Sequence, residues 1–257
     1  MTLHAVTRPP GPNLAACELT HLARVAIDAA RAAAEHDAYE RTLAALGCTI
    51  ERLPADVDLP DSVFVEDTAV VLPEIAVITR PGAASRRPET ASVAGVLGRY
   101  RILRNIVEPA TLDGGDVLRL GRTLHVGLSS RTNRDGVEQL GSIVAPFGYE
   151  VRAVPIRGCL HLKTAASWLG DDQVVLNPEW VDEEAFAGLA VIRVDPREPY
   201  AANVLRVGGT VLCASAHIRT RERLERRHTV RSVDIRELAK AEAGVTCCSL
   251  VLDDRRR

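Results

Sequence analysis

The sequence lacks any hydrophobic run long enough to span a membrane, and its first residues lack the basic and apolar regions of a secretory signal peptide. It also lacks a strong charge of either sign, because 32 basic and 34 acidic residues give a formal net charge of -2. Without a large positive field, the chain has no general attraction for nucleic acid or for anionic membranes. We therefore expect a soluble cytoplasmic protein that binds neither of them.

Cysteine patterns typical of structural metal sites are missing as well. The six cysteines are spread along 257 residues and include no CxxC pair and no cluster with histidine. A chain of this length buries most of its apolar surface and needs no disulfide framework to fold. The sequence therefore predicts no metal site and no disulfide framework.

What the sequence does contain is a recurring unit. A predicted helix over residues 18–46 is followed by short β-branched runs that form hairpins, and each hairpin precedes a helix candidate. Recurrence at roughly 35 to 50 residues is typical of a propeller-like or solenoid array, and an ordinary mixed α/β domain is the alternative. We expect one domain over residues 1–257, with a disordered tail from about residue 253 to residue 257.

An apolar, β-prone run near the C-terminal end, residues 245–252, contains two adjacent cysteines. If Cys247 stands at the mouth of a strand that Leu250 and Leu252 anchor from behind, its sulfur can face a cavity and act as a nucleophile. The alternative is a pair of core cysteines, because free cysteine is among the most buried residue types. Strand alternation directs Cys248 away from such a cavity and into the packing.

A second unusual stretch, residues 111–117, places Asp113 before two glycines and directly ahead of a predicted strand. Glycines permit a tight backbone with positive φ, which can leave an acid facing inward. As an isolated pattern, such a stretch is more often a simple turn.

The third stretch, residues 158–164, contains His161 in a strand-like alternation. If Leu160 and Leu162 face the core, His161 and Lys163 share the opposite face, which would be the cavity side. A lone histidine in this setting is more often a structural residue.

The fourth stretch, residues 59–67, carries three acids, Asp61, Glu66 and Asp67, around an apolar tripeptide. Acids in a strand-like run need a cationic partner, because a buried charge without one is costly. The partner is either a bound substrate or one of the arginines that follow, such as Arg86.

Together these four stretches, with residues 78–89 and 126–133, closely resemble the dimethylarginine dimethylaminohydrolases of the guanidino-group-modifying superfamily. The resemblance runs from about His4 to Leu252. It implies an α/β fold, a five-bladed α/β-propeller (pentein) of ββαβ units around a central active-site channel. It also implies hydrolysis of Nω-methylated L-arginine to L-citrulline and a methylamine, with this small molecule as the partner and with no cofactor.

The resemblance implies a role for three catalytic residues. Cys247 matches the nucleophile, His161 the general acid and base, and Asp113 the acid that orients the histidine. A guanidinium is a poor electrophile, so the chemistry calls for a strong, soft nucleophile beside carboxylates that fix the cation. A bound cation also favours the thiolate, so substrate binding is expected to help ionise Cys247.

The resemblance also implies a set of substrate-binding residues, which divides by the part of the substrate that each would contact. The guanidinium is assigned to Glu66 and Asp67, the α-amino group to Asp61 and the backbone of Leu19, the α-carboxylate to Arg86 and Arg131, and a further backbone contact to Ala241.

Alternatives remain at this stage. Arginine deiminases resemble the chain in part, but they typically place an acid two residues after the histidine, where this sequence has Lys163, and they carry an inserted helical domain. Another guanidine hydrolase or an amidinotransferase is also conceivable. From a different class, a ribosome anti-association factor uses the same propeller without a catalytic site. The sequence does not decide between a monomer and a homodimer.

Overall fold

The structure is a computed structural model that describes residues 2–253, and its strands form five sheets of three strands each. The strands are β1 (Leu3–Thr7), β2 (Cys48–Arg52), β3 (Ala69–Val71), β4 (Ile75–Ile78), β5 (Ile102–Asn105), β6 (Val117–Leu120), β7 (Thr123–Leu128), β8 (Glu150–Pro155), β9 (Ala166–Gly170), β10 (Gln173–Leu176), β11 (Ala190–Arg193), β12 (Leu205–Val207), β13 (Thr210–Ala214), β14 (Thr229–Val233) and β15 (Leu250–Asp253). The α-helices are α1 (Ala29–Ala45), α2 (Thr90–Leu97), α3 (Arg134–Val144), α4 (Leu162–Ala165), α5 (Ile218–Glu225) and α6 (Arg236–Ala239).

All five sheets repeat one arrangement, in which the middle strand pairs antiparallel with one neighbour and parallel with the other. In the third sheet, a tight turn joins β6 to β7, and α3 connects β7 to the parallel strand β8. A parallel neighbour requires such a crossover, whereas an antiparallel neighbour needs only a turn. The repeat confirms the predicted five-bladed α/β-propeller of ββαβ units.

The first sheet is completed by the end of the chain, with strand order β15-β1-β2. Strand β15 runs antiparallel to β1, with Val6 opposite Leu250 and His4 opposite Leu252. Leu250 and Leu252 are buried against the second blade and fix the strand from behind, as the apolar pattern predicts. The cysteine pair is therefore held beside the start of the chain.

The first helix is much shorter than the predicted span of residues 18–46. It begins at Ala29, after Asp28, whose side chain caps the helix by accepting the N–H of Arg31 at 3.0 Å. Residues 18–22 instead form a loop, because their backbone N–H groups find acceptors on Asp61 and Glu242. Helical periodicity in the sequence does not predict such long-range partners.

Other local predictions differ in type. The strand-like run of residues 59–67 contains no strand, and Val65–Thr68 is a buried 3-10 turn. The helix candidate after the hairpin of β9 and β10 is a single 3-10 turn, Glu183–Phe186. Asp253, the first residue of the predicted tail, is the last residue of β15, and Arg101 binds its carboxylate at 2.5 Å. Residues 254–257 of the predicted tail lie outside the described residues. Between residues 2 and 253, no helix combines the length and the apolar character needed to cross a bilayer.

Candidate active site

Cys247 lies in a turn just before β15, and the backbone around it is tightly tied. The N–H of Gly244 donates to Sγ of Cys247 at 3.3 Å, and the N–H of Glu66 donates to the Cys247 carbonyl at 3.1 Å. Behind the turn, the hydroxyl of Tyr39 on α1 donates to the Val245 carbonyl at 2.8 Å. The turn that carries the sulfur is therefore held by backbone groups on one side and by the buried Tyr39 of α1 on the other.

In the free protein, the surroundings of Cys247 oppose ionisation of its thiol. Burial, followed by the nearby carboxylates of Glu66 and Asp67, raises the pKa of Cys247 to about 12. Cys248, next along the chain, packs in the apolar core with Ala5, Tyr39 and Val245. The two neighbouring thiols thus lie in different environments.

His161 lies between two carboxylates. Its Nε2 is 3.1 Å from Oδ2 of Asp113, and its Nδ1 is 3.7 Å from Oδ1 of Asp67. Burial lowers the pKa of His161, but the charge of Asp67 and the hydrogen bond with Asp113 outweigh it and raise the pKa to about 9. At neutral pH the ring is therefore an imidazolium, able to give a proton.

The predicted strand around His161 is wrong. His161 is the N-cap of the short helix α4, so successive side chains rotate around a helical turn. His161 consequently faces Asp113, whereas Lys163 points to the far side of the channel, where its Nζ contacts Glu66 at 2.7 Å. Leu160 lines the cleft instead of the core.

The two glycines after Asp113 are required for close approach and do not have positive φ, contrary to the sequence prediction. A Cβ at Gly114 would lie 2.1 Å from the Glu66 carbonyl oxygen, and one at Gly115 would lie 2.7 Å from Nδ1 of His161. The N–H of Gly115 also donates a hydrogen bond to the Asp67 carboxylate at 3.0 Å. Only glycine lets this turn pass beneath the histidine.

Asp67 is held ionised by its surroundings. Burial raises its pKa, but His161 and Arg86 outweigh burial and bring the pKa to about 2. Arg86 donates from Nη1 to Asp67 at 2.6 Å and from Nη2 to Glu89 at 2.8 Å, and it also binds the Phe64 carbonyl at 3.1 Å. In the structure Arg86 therefore braces Asp67; its predicted contact with the α-carboxylate stays a prediction.

Glu66 faces away from the cleft that contains Cys247. Its carboxylate accepts from Nζ of Lys163 at 2.7 Å and from the hydroxyl of Thr246 at 2.6 Å. Both oxygens are thus engaged by the protein. The predicted contact of Glu66 with the guanidinium stays a prediction.

The rest of the predicted set lies at the outer end of the same cleft. Asp61 accepts the N–H of Glu18 at 3.1 Å, and Arg131 donates to the Thr20 hydroxyl at 3.2 Å, so the segment containing Leu19 is held between them. Burial raises the pKa of the Asp61 carboxyl group above its ordinary value. The cleft is lined by Glu18, Asp61, Phe64, Asp67, Arg86, Arg131, Leu160, His161, Ala241, Glu242, Ala243 and Cys247.

Two residues that sequence analysis missed hold these groups in place. Asn203 accepts the N–H of Thr246 at 3.1 Å and donates to the Thr246 hydroxyl at 3.0 Å, which fixes the residue before Cys247. Asp116 accepts the N–H of Leu162 at 2.9 Å and so fixes the residue after His161. Asp116 lies in the glycine-containing stretch of residues 111–117, which was a visible signal, whereas nothing in the sequence marks Asn203.

The carboxylates and the imidazole could also hold a metal ion. One ligand atom from each of Asp67, Asp113 and His161 lies within 4.8 Å of the others, all three being buried. Two carboxylates and one imidazole form a plausible donor set for a divalent cation. The same set equally accounts for an imidazolium held between two acids.

Known proteins resemble this chain along most of its length. The arginine deiminase family model matches residues 55–204. An N(G),N(G)-dimethylarginine dimethylaminohydrolase of Streptomyces coelicolor is 44% identical over 252 residues, which is 96% of each chain. Its counterpart in Pseudomonas aeruginosa is 35% identical over 254 residues, covering 97% of this chain and 99% of the relative.

Solved structures give the same result. The Pseudomonas aeruginosa enzyme, as a cysteine-to-serine variant complexed with citrulline, matches with a TM-score of 0.94 at 34% identity over 98% of this chain and 100% of that chain. The N-terminal domain of a cyanobacterial arginine dihydrolase matches with a TM-score of 0.87 at 18% identity over 99% of this chain and 98% of that chain, which shows a shared fold.

Proposed function

The chain belongs to the dimethylarginine dimethylaminohydrolase family and is a hydrolase of the guanidino group of methylated arginine, and we propose that Cys247, His161 and Asp113 carry out this reaction. The observation that supports the assignment is one cleft that brings together a thiol, an imidazolium and an ionised carboxylate. Each group matches a need of the chemistry. The products are L-citrulline and methylamine or dimethylamine.

The first step depends on the substrate's own charge. In the free protein, the carboxylates of Glu66 and Asp67 oppose ionisation of Cys247. A guanidinium bound against Asp67 offsets this negative charge and lowers the pKa of the thiol, whose proton leaves to solvent. The thiolate then forms a bond to the guanidino carbon as one C–N π bond opens, which gives a neutral tetrahedral adduct.

His161 acts in the next two steps. The imidazolium gives its proton to the methylated nitrogen, whose bond to carbon breaks, so that a methylamine leaves and an S-alkylthiouronium remains on Cys247. The neutral imidazole then takes a proton from water, and the oxygen attacks the same carbon. Collapse of this second adduct breaks the C–S bond while its hydroxyl proton passes to the departing sulfur, which releases citrulline and restores the Cys247 thiol; Asp113 keeps the ring oriented throughout.

The amino-acid end of the substrate fits the outer part of the cleft. Asp61 and the backbone of Leu19 would receive the α-amino group, and the buried guanidinium of Arg131 would receive the α-carboxylate. Arg86 and Ala241 complete the proposed set. We further propose that the chain forms a single domain and acts in the cytoplasm, as a monomer or a homodimer.

Citrulline formation from dimethylarginine, monomethylarginine, arginine and agmatine tests the assignment in one assay. We expect the methylated arginines to be turned over fastest by the wild-type protein and activity to be abolished in Cys247→Ser. Arginine is the informative competitor, because the arginine deiminase model matches more than half of the chain. Faster turnover of arginine than of both methylated forms would refute the substrate assignment, and full activity in Cys247→Ser would refute the mechanism.

A further inference from the structure

The loop of residues 14–24 covers the outer end of the cleft, and its own contacts give it a defined shape. The guanidinium of Arg24 donates to the carbonyls of Ala15 and Cys17 within the loop. The N–H of Glu18 is bound by Asp61 on the cleft wall. Beyond that point, three consecutive backbone N–H groups point toward a single side chain.

That side chain is Glu242. Its two carboxylate oxygens each accept the N–H of Thr20 at 3.1 Å, and one of them also accepts the N–H groups of His21 and Leu22. A carboxylate that accepts several backbone N–H groups forms charge-assisted bonds, which are stronger than those between neutral groups. Glu242 therefore fixes the segment that directly follows Leu19.

The backbone at Glu242 is also unusual. Its φ is +60°, in the left-handed region that a residue with a side chain rarely adopts. Among residues 2–253, the other non-glycine residues with positive φ are Asp171 and Asp172, which form the hairpin turn between β9 and β10. Strained residues cluster where function requires a particular side-chain direction.

The position of Glu242 in the chain connects two parts of the site. It follows Ala241, which lines the cleft, and it precedes the turn from Gly244 to Cys247, whose N–H to Sγ contact orients the nucleophile. One end of this short segment holds the sulfur, and the other holds the loop. The same short backbone segment, residues 241–247, therefore holds both the loop and the thiol in position.

We propose that Glu242 is the latch of this loop, a positioning residue that holds the backbone of Leu19 over the substrate's α-amino group. The proposal rests on the proposed function for the identity of that group, whereas the latch itself rests on the contacts of Glu242. Asp61 on the cleft wall binds only the N–H of Glu18, and the contacts from Ser85 to Glu18 and from Arg131 to Thr20 involve loop side chains, so the three N–H groups are left to Glu242.

Steady-state kinetics of Glu242→Gln, Glu242→Ala and Glu242→Gly test the positioning role. Loss of several charge-assisted bonds should raise KM for methylated arginine by about tenfold or more in the alanine variant, with a much smaller change in kcat. The glutamine variant, which keeps one acceptor oxygen, should lie between alanine and wild type. The glycine variant relaxes the backbone but removes the carboxylate, so it should behave like alanine.

Two controls make the result specific. Glu138→Ala removes an exposed glutamate from α3 and should leave both constants unchanged. An N-methylguanidine without an amino-acid end makes no contact with Leu19, so its turnover by Glu242→Ala should equal that by wild type. An equal loss with both substrates, or recovery of wild-type KM in Glu242→Gly, would overturn the positioning role.

Limited trypsin digestion tests the latch without reference to substrate identity. Arg24 lies at the end of the loop and its guanidinium is bound by the carbonyls of Ala15 and Cys17, so trypsin can cleave after it only when these contacts within the loop open. Cleavage at this bond should be several-fold faster in Glu242→Ala than in wild type and Glu138→Ala, and added citrulline should slow it. Equal cleavage rates in all three proteins would refute the latch, even if the wild-type protein failed to act on methylated arginine.

Discussion

The two sides of the central channel use neighbouring residues for opposite purposes. On the cleft side, Asp67 is ionised beside His161 and Cys247. On the far side, Glu66 is bound by Lys163 and Thr246, and Cys248 is in the core. On the cleft side a thiol, an imidazolium and an ionised carboxylate therefore surround one cleft, whereas on the far side the carboxylate binds a lysine and the thiol is packed in the core.

The difference shows how a propeller channel becomes a one-sided active site. Adjacent positions on a short 3-10 turn, Val65–Thr68, and on the turn before β15 direct side chains to both sides. Glu66, next to Asp67 in the chain, forms its ion pair with Lys163 on the far side of the channel. Substitutions at matched positions on the two sides should therefore differ sharply in effect.

The largest difference should be between the two cysteines. Cys247→Ala should lose activity by roughly 10³-fold or more, because no other group in the cleft can form the covalent intermediate. Cys248→Ala should keep activity within a few-fold and lose about 1 kcal/mol of unfolding free energy, because it leaves a small cavity in the core. Citrulline assays and urea denaturation of both variants measure the contrast, and comparable activity losses would contradict it.

The next contrast is between the two acids. Asp67→Asn should lower kcat/KM by roughly 10²-fold or more, because it removes the ionised partner of the guanidinium and of His161. Glu66→Gln leaves Lys163 without its charged partner and should mainly lower stability, by about 1 to 3 kcal/mol. If Glu66→Gln instead loses as much kcat/KM as Asp67→Asn with unchanged stability, then Glu66 receives the guanidinium as the family resemblance implies.

His161 offers a comparison within the cleft side. The pKa of about 9 rests on the two carboxylates that overcome burial, so the step that needs the imidazolium should slow as pH rises through about 9. Asp113→Asn removes one negative charge and should move this alkaline limb to lower pH, with kcat reduced by about tenfold or more. Activity profiles against pH for both proteins test this, with Lys163→Gln as a far-side control that should leave the limb nearly in place.

The same shift has a consequence for stability. A pKa raised from about 6.5 in the unfolded chain to about 9 in the folded protein contributes stability that is fully present below pH 6.5 and is lost as pH rises through 9. Asp113→Asn should reduce this loss. Urea denaturation at pH 6 and at pH 9 measures the difference, and an unchanged pH slope in the variant would contradict the assigned role of Asp113.

How much of this arrangement the sequence could predict depends on the range of the interactions. Hairpins and crossover helices follow from local periodicity, so the recurring blade was visible. The side of the channel that each residue faces was not predictable, because strand alternation placed His161 and Lys163 on one face. In the structure, the turn of α4 separates them. Asn203 and Glu242 escaped detection because each acts through backbone groups that are distant in sequence.

The smallest expected effect concerns the resting thiol. The pKa of about 12 at Cys247 comes from burial and from the carboxylates of Glu66 and Asp67, so a small bound guanidinium ion should lower it by about one unit or more. Thiolate absorbance near 240 nm, titrated with and without millimolar guanidinium, measures the shift. Subtracting the same titration of Cys247→Ser isolates Cys247 from Cys248, whose buried thiol should contribute no change. An unaltered difference curve would mean that the cation does not assist ionisation and that the thiol proton is removed by another route.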